Sequence, residues 1–312
     1  MAIYFFNIKT FGRASGGSAP GAAAYRAGER IRDERTGRMH DHSMREDVLH
    51  KEILLPEKYS TDDMTWARDR TTLWNAAERA EKRSNARVAR EYLVGLPFEL
   101  SPEERLKLAR GFSQELTNRH GFALDLTIHA PRNLPDSDSR NFHAHLLATT
   151  REVNLEGLGE KTSLERSYGV LLKMGLDPVI HELFHARERW ALLTNAALRE
   201  ANVAATVDYR SLEAQGIDRE PRPQIPRAAF EMERQGYRNA LAERMRSEYE
   251  ARVNERQQGL AQPEPVSRPP QSLEEIRREA REDWLRMRQA LGAGAGPVQR
   301  QPDRTLDDDL SR

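Results

Sequence analysis

Residues 128–151, IHAPRNLPDSDSRNFHAHLLATTR, decide the fold that this chain predicts. Runs rich in β-forming and apolar residues lie at both ends, at 122–130 and 141–150. The segment between them, PRNLPDSDSR, contains prolines, aspartates and serines, which are the residues typical of turns. The sequence therefore predicts a β-hairpin with antiparallel strands.

The side chains of this hairpin divide into a polar and an apolar face, because successive residues of a strand point to opposite sides. The composition of the turn puts its centre at Asp136 or Ser137. His129 then lies opposite His143 or His145, so that three imidazoles meet on the polar face. The predicted apolar face consists of Leu124, Leu126, Ile128, Phe142, Ala144, Leu146 and Ala148.

Three neutral imidazoles on one sheet face are a donor set for a divalent transition metal, with its remaining positions open to solvent and substrate. The alternative is a half-buried hairpin whose histidines are merely exposed. A single histidine would favour that alternative, whereas His143, His145 and a third histidine in register favour the metal site. On a phosphodiester, such a metal would bind non-bridging oxygens and neutralise the charge of the transition state.

A nucleophile for this chemistry is found near the N-terminus. Glycines and serines crowd into residues 11–21, and a predicted helix with the sequence GAAAYRAGERIRDE carries Tyr25 directly after them. Residues 1–45 contain eight Lys or Arg and four Asp or Glu, a local positive excess that suits phosphate. A phenol has a pKa of about 10 and must be activated or positioned. Glu91 could do this as a metal contact or as a hydrogen-bond acceptor, although each residue taken singly is more simply a packed aromatic or a surface carboxylate.

The remaining elements follow from periodicity and from capping signals. Ser101, followed by proline and by Glu104, predicts a capping box, and Gly121 predicts the end of the same helix. The other predicted elements are strands at 3–9, 87–96 and 204–209 and helices at 61–83, 178–201 and 230–257. This order predicts an α+β fold with a mostly antiparallel central sheet flanked by helices, and a helical C-terminal extension.

Composition limits the compartment and the partners. Cysteine is absent, which excludes disulfides and thiolate ligands and fits a reducing compartment. No apolar run approaches the ~18 residues of a membrane span, and the apolar start of the chain breaks at Asn7, so no secretory leader is predicted. We expect a soluble cytoplasmic protein without membrane insertion. The formal net charge of zero gives no indication of nucleic-acid binding by itself.

A second metal motif lies in the predicted helix at 178–201. Residues 181–185, HELFH, match the H-E-x-x-H pattern of zinc peptidases, in which His181 and His185 share one helix face beside Glu182. However, Leu183 and Phe184 belong to an apolar stripe, and no glycine-rich third-ligand segment follows. We therefore rank a zinc metallopeptidase below an ordinary solvated helix.

Several segments together resemble the MobA/MobL family of plasmid-mobilisation relaxases, within the class of HUH endonucleases. Residues 143–145, HAH, match the two histidines separated by one hydrophobic residue that define the class. Residues 1–31 resemble the N-terminal family motif, with Tyr25 at the position of its tyrosine. Further familial segments are DERTGRMHDHS, VLHKEILLPE, AREYLVGLP, ELSPEE and VDYRSLEAQGIDREP, so the resemblance covers roughly residues 1–235.

The resemblance implies a helix-flanked antiparallel sheet and a strand-specific nickase. Tyr25 would attack one phosphodiester at a plasmid origin of transfer and become linked to the 5′ phosphate. The free 3′ hydroxyl would then allow the strand to be rejoined. His129, His143 and His145 would bind a divalent ion, Mg²⁺ or Mn²⁺ before other transition metals, and Glu91 would stand at the position of a familial acidic residue.

The resemblance also implies partners and boundaries. Expected partners are origin-of-transfer DNA (the single-stranded nick region and adjacent duplex), relaxosome accessory proteins, a coupling protein and the type IV secretion system through which the protein travels. We expect a relaxase domain at 1–235, a helical extension at 236–257, and a Pro/Gln linker, charged helix and disordered tail at 258–312, with strand unwinding by another protein. Alternatives are an HUH replication-initiator nickase and a module that binds single-stranded DNA without cutting it.

Overall fold

A six-stranded sheet organises the first part of the chain in the computed structural model, which describes residues 2–131, 138–223 and 225–257. The strands are β1 (Phe6–Gly12), β2 (Arg30–Arg32), β3 (Met39–Asp41), β4 (Val48–Leu54), β5 (Arg87–Gly95), β6 (Phe122–His129), β7 (His143–Asn154) and β8 (Gly157–Lys161). The helices are α1 (Ala19–Ala27), α2 (Thr65–Arg68), α3 (Arg70–Ala80), α4 (Pro102–His120), α5 (Tyr168–Lys173), α6 (Val179–Glu200), α7 (Arg227–Arg234) and α8 (Ala240–Gln257).

The sheet has the order β1-β5-β7-β6-β4, with β8 paired to β7, and every pairing in it is antiparallel. β2 and β3 form a separate two-stranded ribbon. The predicted α+β fold with an antiparallel sheet between helices is therefore confirmed. None of the helices in the described ranges is long and apolar enough to span a bilayer.

The hairpin at the centre of the sheet has one of the two predicted registers. His129 pairs directly with His143, and Thr127 pairs with His145 two residues further along β7. This pairing corresponds to a turn centred on residue 136. The turn itself, at 132–137, lies outside the described residues.

The even-numbered face of the hairpin is apolar and buried, as predicted. Leu126 and Leu146 are fully buried there, and the face packs on α4 and α6 in one continuous core. Phe112 of α4 and Trp190 of α6 meet in that core with ring centroids 5.2 Å apart. Burying a side chain of this size stabilises the fold by about 1.5–3 kcal/mol, so this face supplies much of the fold's stability.

Helix α4 begins and ends where the sequence predicts. The Ser101 side chain accepts a hydrogen bond from the Glu104 backbone, and the Glu104 side chain accepts one from the Ser101 backbone. Gly121 ends the helix with φ of 72°, a left-handed conformation that residues with a Cβ rarely adopt. The helix therefore leads directly into β6.

The odd-numbered face of the sheet is covered by α1 and α3. Trp74 of α3 is fully buried and donates a hydrogen bond of 3.0 Å from Nε1 to Asp125 of β6. Arg70 contacts the same carboxylate through two nitrogens, at 2.7 and 3.0 Å. Alanines of α1, including Ala23 and Ala24, have no exposed surface and allow this helix to approach closely. The polar face is thus more enclosed than the open donor set that the sequence predicts.

Other elements differ from their predictions. β1 begins at Phe6, later than predicted, and the helix predicted at 61–83 divides at Asp69, whose carboxylate caps α3. The strand predicted at 141–150 is longer in the structure, because β7 continues to Asn154 and turns back into β8 at Gly157, whose φ is 145°.

Residues 204–209 do not form a strand, contrary to the prediction. The Asn195 side chain of α6 instead exchanges two hydrogen bonds with the backbone of Val207, at 2.9 and 2.8 Å. The side-chain amide thus supplies the donor and acceptor that a neighbouring strand would offer, so the segment needs no sheet partner.

The chain divides into one unit up to Tyr209 and a second unit that begins at Arg210. The second unit contains α7 and α8, which are joined by a two-pronged ion pair between Glu233 and Arg246 at 2.7 and 2.6 Å. The domain boundary predicted at residue 235 remains a prediction. The linker, charged helix and tail predicted at 258–312 lie outside the described residues.

Candidate metal centre and nucleophile

The odd-numbered face brings the three predicted histidines together. Their ligand nitrogens lie within 4.8 Å of one another. The ring centroid of His129 is 4.6 Å from that of His145 and 5.4 Å from that of His143. His129 and His145 are buried, with 0% and 8% of their surface exposed, and His143 is half-buried. A divalent cation between them would therefore be approached from the His143 side.

Hydrogen bonds at the rear of each ring direct one lone pair toward the cluster. Nδ1 of His145 donates to Glu91 at 2.7 Å, and Nδ1 of His143 donates to a backbone carbonyl at 2.9 Å. His129 is reversed, with Nε2 donating to the carbonyl of Arg26 at 2.7 Å. A neutral imidazole that donates from one nitrogen carries its lone pair on the other. The nitrogens that would bind a metal are therefore Nδ1 of His129 and Nε2 of the other two, and Nη2 of Arg45 lies 3.2 Å from the first of these.

Burial keeps two of these rings uncharged. Loss of hydration lowers the pKa of His129 to about 3, and the nearby His145 ring acts in the same direction. Loss of hydration also lowers the pKa of His145 to about 4, against the opposing effect of Glu91. Both rings are thus in the metal-binding form at neutral pH.

Glu91 is fully buried behind His145 on the adjacent strand β5. Burial alone would raise the pKa of its carboxyl. The hydrogen bonds from His145 and Arg26 and the charge of Arg26 outweigh burial, so the pKa of Glu91 lies well below its usual range. Its second oxygen is 2.8 Å from the ammonium of Lys9. Glu91 is therefore a buried anion that orients His145.

Tyr25 lies on α1, one residue before the carbonyl that accepts the His129 hydrogen bond. Its ring is half-buried and meets the ring of His42 edge-on, with centroids 5.2 Å apart. The guanidinium of Arg45 lies over the Tyr25 ring, 4.4 Å from its centroid. The fold thus attaches the tyrosine-bearing helix directly to the histidine cluster.

The sequence analysis does not single out Arg45 and Asp47, although both lie beside Tyr25 and the histidine cluster. Arg45 counted only toward the basic excess of the N-terminal segment, yet it contacts Tyr25, Asp47 and His129. The only local signal was an arginine and an aspartate two residues apart, a common pair on any surface.

Most of the basic side chains of residues 1–45 form ion pairs with carboxylates of the same chain. Arg13 and Arg35 both contact Glu78, at 2.7 and 2.8 Å, and Arg26 contacts Glu91. On the β2–β3 ribbon, Arg32 and Arg38 are exposed and form no ion pair within the described part of the chain. These two arginines are therefore accessible to phosphate.

The HELFH residues of α6 form no donor set. Glu182 is held by Arg119 through two hydrogen bonds of 2.7 and 2.8 Å, and His181 lies 3.6 Å from Asp177. Within the described ranges, the one group of three ligand side chains able to hold a metal is the histidine cluster of β6 and β7. The arrangement of α6 gives no support to the peptidase alternative.

Comparison with known proteins agrees with the predicted resemblance. The sequence model of the MobA/MobL family matches residues 17–235. "Mobilization protein MobL" of Acidithiobacillus ferridurans is 36% identical over 282 residues, which cover 82% of this chain and 69% of that protein. "Probable mobilization protein MobA" of Bifidobacterium longum is 31% identical over 283 residues, which cover 81% of this chain and 47% of that protein.

One solved structure is similar in both fold and sequence. It is described as "Molecular Basis of Vancomycin Resistance Transfer in Staphylococcus aureus", and it superposes with a TM-score of 0.55 at 30% identity, covering 67% of this chain and 100% of that one. The family match covers well over half of the chain and includes the helix of Tyr25, β5 and the histidine hairpin. The chain therefore belongs to the MobA/MobL family.

Proposed function

We propose that this chain is a conjugative relaxase that nicks and rejoins one DNA strand at a plasmid origin of transfer, with Tyr25 as the nucleophile. The hydrogen bond from His129 to the carbonyl of Arg26 carries this proposal, because it joins the tyrosine-bearing helix to the metal-binding cluster. Relatives named as mobilization proteins support a role in transfer.

His129, His143 and His145 would hold one divalent cation through the nitrogens named above. Nitrogen donors suit transition metals better than Mg²⁺, so the donor set favours Mn²⁺ among the two ions first expected. A bound cation would neutralise charge on the non-bridging oxygens of the scissile phosphate. Glu91 would keep the His145 lone pair directed forward and add negative charge behind it.

In the reaction, the Tyr25 oxygen forms a bond to phosphorus while the bond from phosphorus to the 3′ oxygen breaks. The phenolic proton passes to water, and the departing 3′ oxygen takes up a proton from water. One phosphodiester is exchanged for another, so little bond energy is lost. The released 3′ hydroxyl can therefore attack the phosphotyrosine and rejoin the strand.

The proposed partners follow from this chemistry. Origin-of-transfer DNA would be the substrate, with the single-stranded nick region at the cluster and the adjacent duplex bound elsewhere. Arg32 and Arg38 on the β2–β3 ribbon would contact phosphates, since ion pairs leave both accessible. Accessory proteins, a coupling protein and a type IV secretion system would complete the transfer.

The test is a covalent adduct between the protein and origin DNA. An oligonucleotide labelled on the 3′ side of the nick is incubated with protein and Mn²⁺, and the products are separated on a denaturing gel. Removing only the phenolic oxygen, with Tyr25→Phe, should abolish the labelled adduct while leaving ring packing intact. The matched control, Tyr59→Phe, lies outside the cluster and should form the adduct like the parent. A labelled adduct that survives in Tyr25→Phe and maps to another tyrosine would refute the assignment.

A further inference from the structure

We propose that Arg45 is a positioning residue that fixes the Tyr25 nucleophile relative to the metal centre. The inference rests on the proposed function of Tyr25 and adds a residue that neither the sequence pattern nor the family match assigns. Arg45 lies in the segment between β3 and β4. The side chain is largely buried, with 13% of its surface exposed, which is unusual for a charge that only serves solubility.

Arg45 contacts both halves of the site. Nη1 donates to the backbone carbonyl of Tyr25 at 2.7 Å, and the guanidinium plane lies over the Tyr25 ring, 4.4 Å from its centroid. Nη2 lies 3.2 Å from Nδ1 of His129, the nitrogen that would bind the metal, so a bound cation would replace this contact while the contacts of Arg45 to Tyr25 and Asp47 remain. One side chain therefore spans the distance from the nucleophile to the donor set.

Asp47 holds the guanidinium in this orientation. Its carboxylate accepts from Nε of Arg45 at 2.8 Å and also accepts from Nη2. Asp47 in turn is attached to the hairpin, since its backbone carbonyl accepts a hydrogen bond of 2.8 Å from the amide of Ala130, next to His129. The arginine is thus fixed to the same strand that presents the metal ligand.

These contacts need the geometry of arginine as well as its charge. All three guanidinium nitrogens are used, and the planar face is used a fourth time against the ring. A lysine would keep the positive charge, but its ammonium group lacks the fixed set of N–H donors and the planar face of a guanidinium. Phosphate-binding arginines that act mainly by charge tolerate lysine better, so the two kinds of role respond differently to Arg45→Lys.

The experiment compares the parent with Arg45→Ala, Arg45→Lys and a matched control, Arg79→Ala. Arg79 is an exposed arginine on α3 that pairs with Glu34, away from the cluster. A small displacement of a reacting group can reduce a rate by about 100-fold, so Arg45→Ala should slow single-turnover adduct formation by roughly that factor. The affinity for origin DNA should stay close to that of the parent, whereas loss of the pair with Asp47 should lower the melting temperature of Arg45→Ala. Arg45→Lys should restore little of the rate, whereas Arg79→Ala should react like the parent.

A second measurement observes Tyr25 without any reaction. Each protein is prepared with 3-fluorotyrosine, and the ¹⁹F resonance of residue 25 is assigned as the one lost in Tyr25→Phe. Arg45→Ala should shift that resonance, and the milder Asp47→Asn should shift it in the same direction, while Arg79→Ala leaves it in place.

An adduct rate and a resonance that both remain unchanged in Arg45→Ala would overturn the inference. Full recovery of the rate in Arg45→Lys would also overturn it, because charge alone would then suffice. If the parent forms no adduct but the resonance still moves, the proposed function fails while the contact between Arg45 and Tyr25 is supported.

Discussion

The two faces of the β6–β7 hairpin use alternate residues of the same strands for different purposes. On one face, Leu126 and Leu146 pack into a core with α4 and α6. On the other, His129 and His145 meet under α1, supported by Glu91. Both faces are buried, so burial does not distinguish them. Substitutions at adjacent positions of one strand can therefore have entirely different effects, one on core packing and the other on the histidine cluster.

The polar face costs stability that the apolar face must offset. Two of its acidic side chains, Glu91 and Asp125, are buried and contact protein groups in place of water. A buried ion pair often stabilises a fold no more than apolar residues of the same size would. Retaining them makes sense if they position chemistry. The contrast predicts that stability and activity respond to different substitutions even one residue apart.

The largest expected effect separates His145→Ala from its neighbour Leu146→Ala. His145→Ala removes one of three ligands, so metal affinity should fall by more than the 10- to 100-fold expected for losing a supporting group, and adduct formation should cease. Leu146→Ala leaves a cavity and should cost about 2–5 kcal/mol in the free energy of unfolding, with the metal affinity of the folded protein retained. Calorimetric metal titration and urea unfolding of both variants provide the measurement. Equal losses of metal affinity would contradict the division between the faces.

The next effect concerns the pH dependence of stability on the apolar side of the sheet. His120 ends α4 and stacks on Phe122, with centroids 5.4 Å apart, and burial lowers its pKa to about 4. Between about pH 6.5 and pH 4, His120 binds a proton in the unfolded chain but not in the folded chain. The free energy of unfolding therefore falls as the pH falls.

His120→Gln removes this titration. The free energy of unfolding of His120→Gln should then fall between pH 7 and pH 4 by about 3 kcal/mol less than that of the parent. This difference corresponds to the lowering of the His120 pKa from 6.5 to about 4. Urea unfolding at several pH values, with a chelator present, gives the comparison. An unchanged pH slope would show that His120 has the same pKa in the folded and the unfolded chain.

The smallest of the three effects tests Glu91 as a support for His145. Glu91→Gln keeps the shape of the side chain but removes the charge that faces Arg26 and Lys9. Metal affinity should fall by about 10- to 100-fold, less than in His145→Ala, because the ligand itself remains. Metal titration of both variants ranks them, and a Glu91→Gln protein that binds metal as weakly as His145→Ala would make Glu91 a ligand in its own right.

The elements that the sequence predicts well depend on local signals. Alternation along 122–130 and 141–150 and the composition of the turn limit the partner of His129 to His143 or His145, and the structure shows the first of these. The capping box at Ser101 and the glycine at 121 were enough to bound α4. Each of these signals lies within a few residues of the element that it predicts, so the local sequence is sufficient to predict that element.

The features that the sequence does not predict depend on distant partners. Arg45 contacts His129, 84 residues away in the chain, and nothing near Arg45 indicates that neighbour. Residues 204–209 have the composition of a strand, but the amide of Asn195 takes the place of a paired strand. The alanines of α1 were a usable signal that was missed, since a helix of small side chains can lie close enough to a sheet to enclose its polar face.

The direct opposition of His129 and His143 has a consequence for folding kinetics. A slip of one residue between β6 and β7 would turn the paired histidines toward opposite faces of the sheet. An intermediate in which the two strands are misaligned by one residue therefore cannot bind metal through all three rings. Uptake of Mn²⁺ or Co²⁺ during refolding would thus time the moment at which these two strands align, and a delay between collapse and metal uptake would measure how long the chain searches for its register.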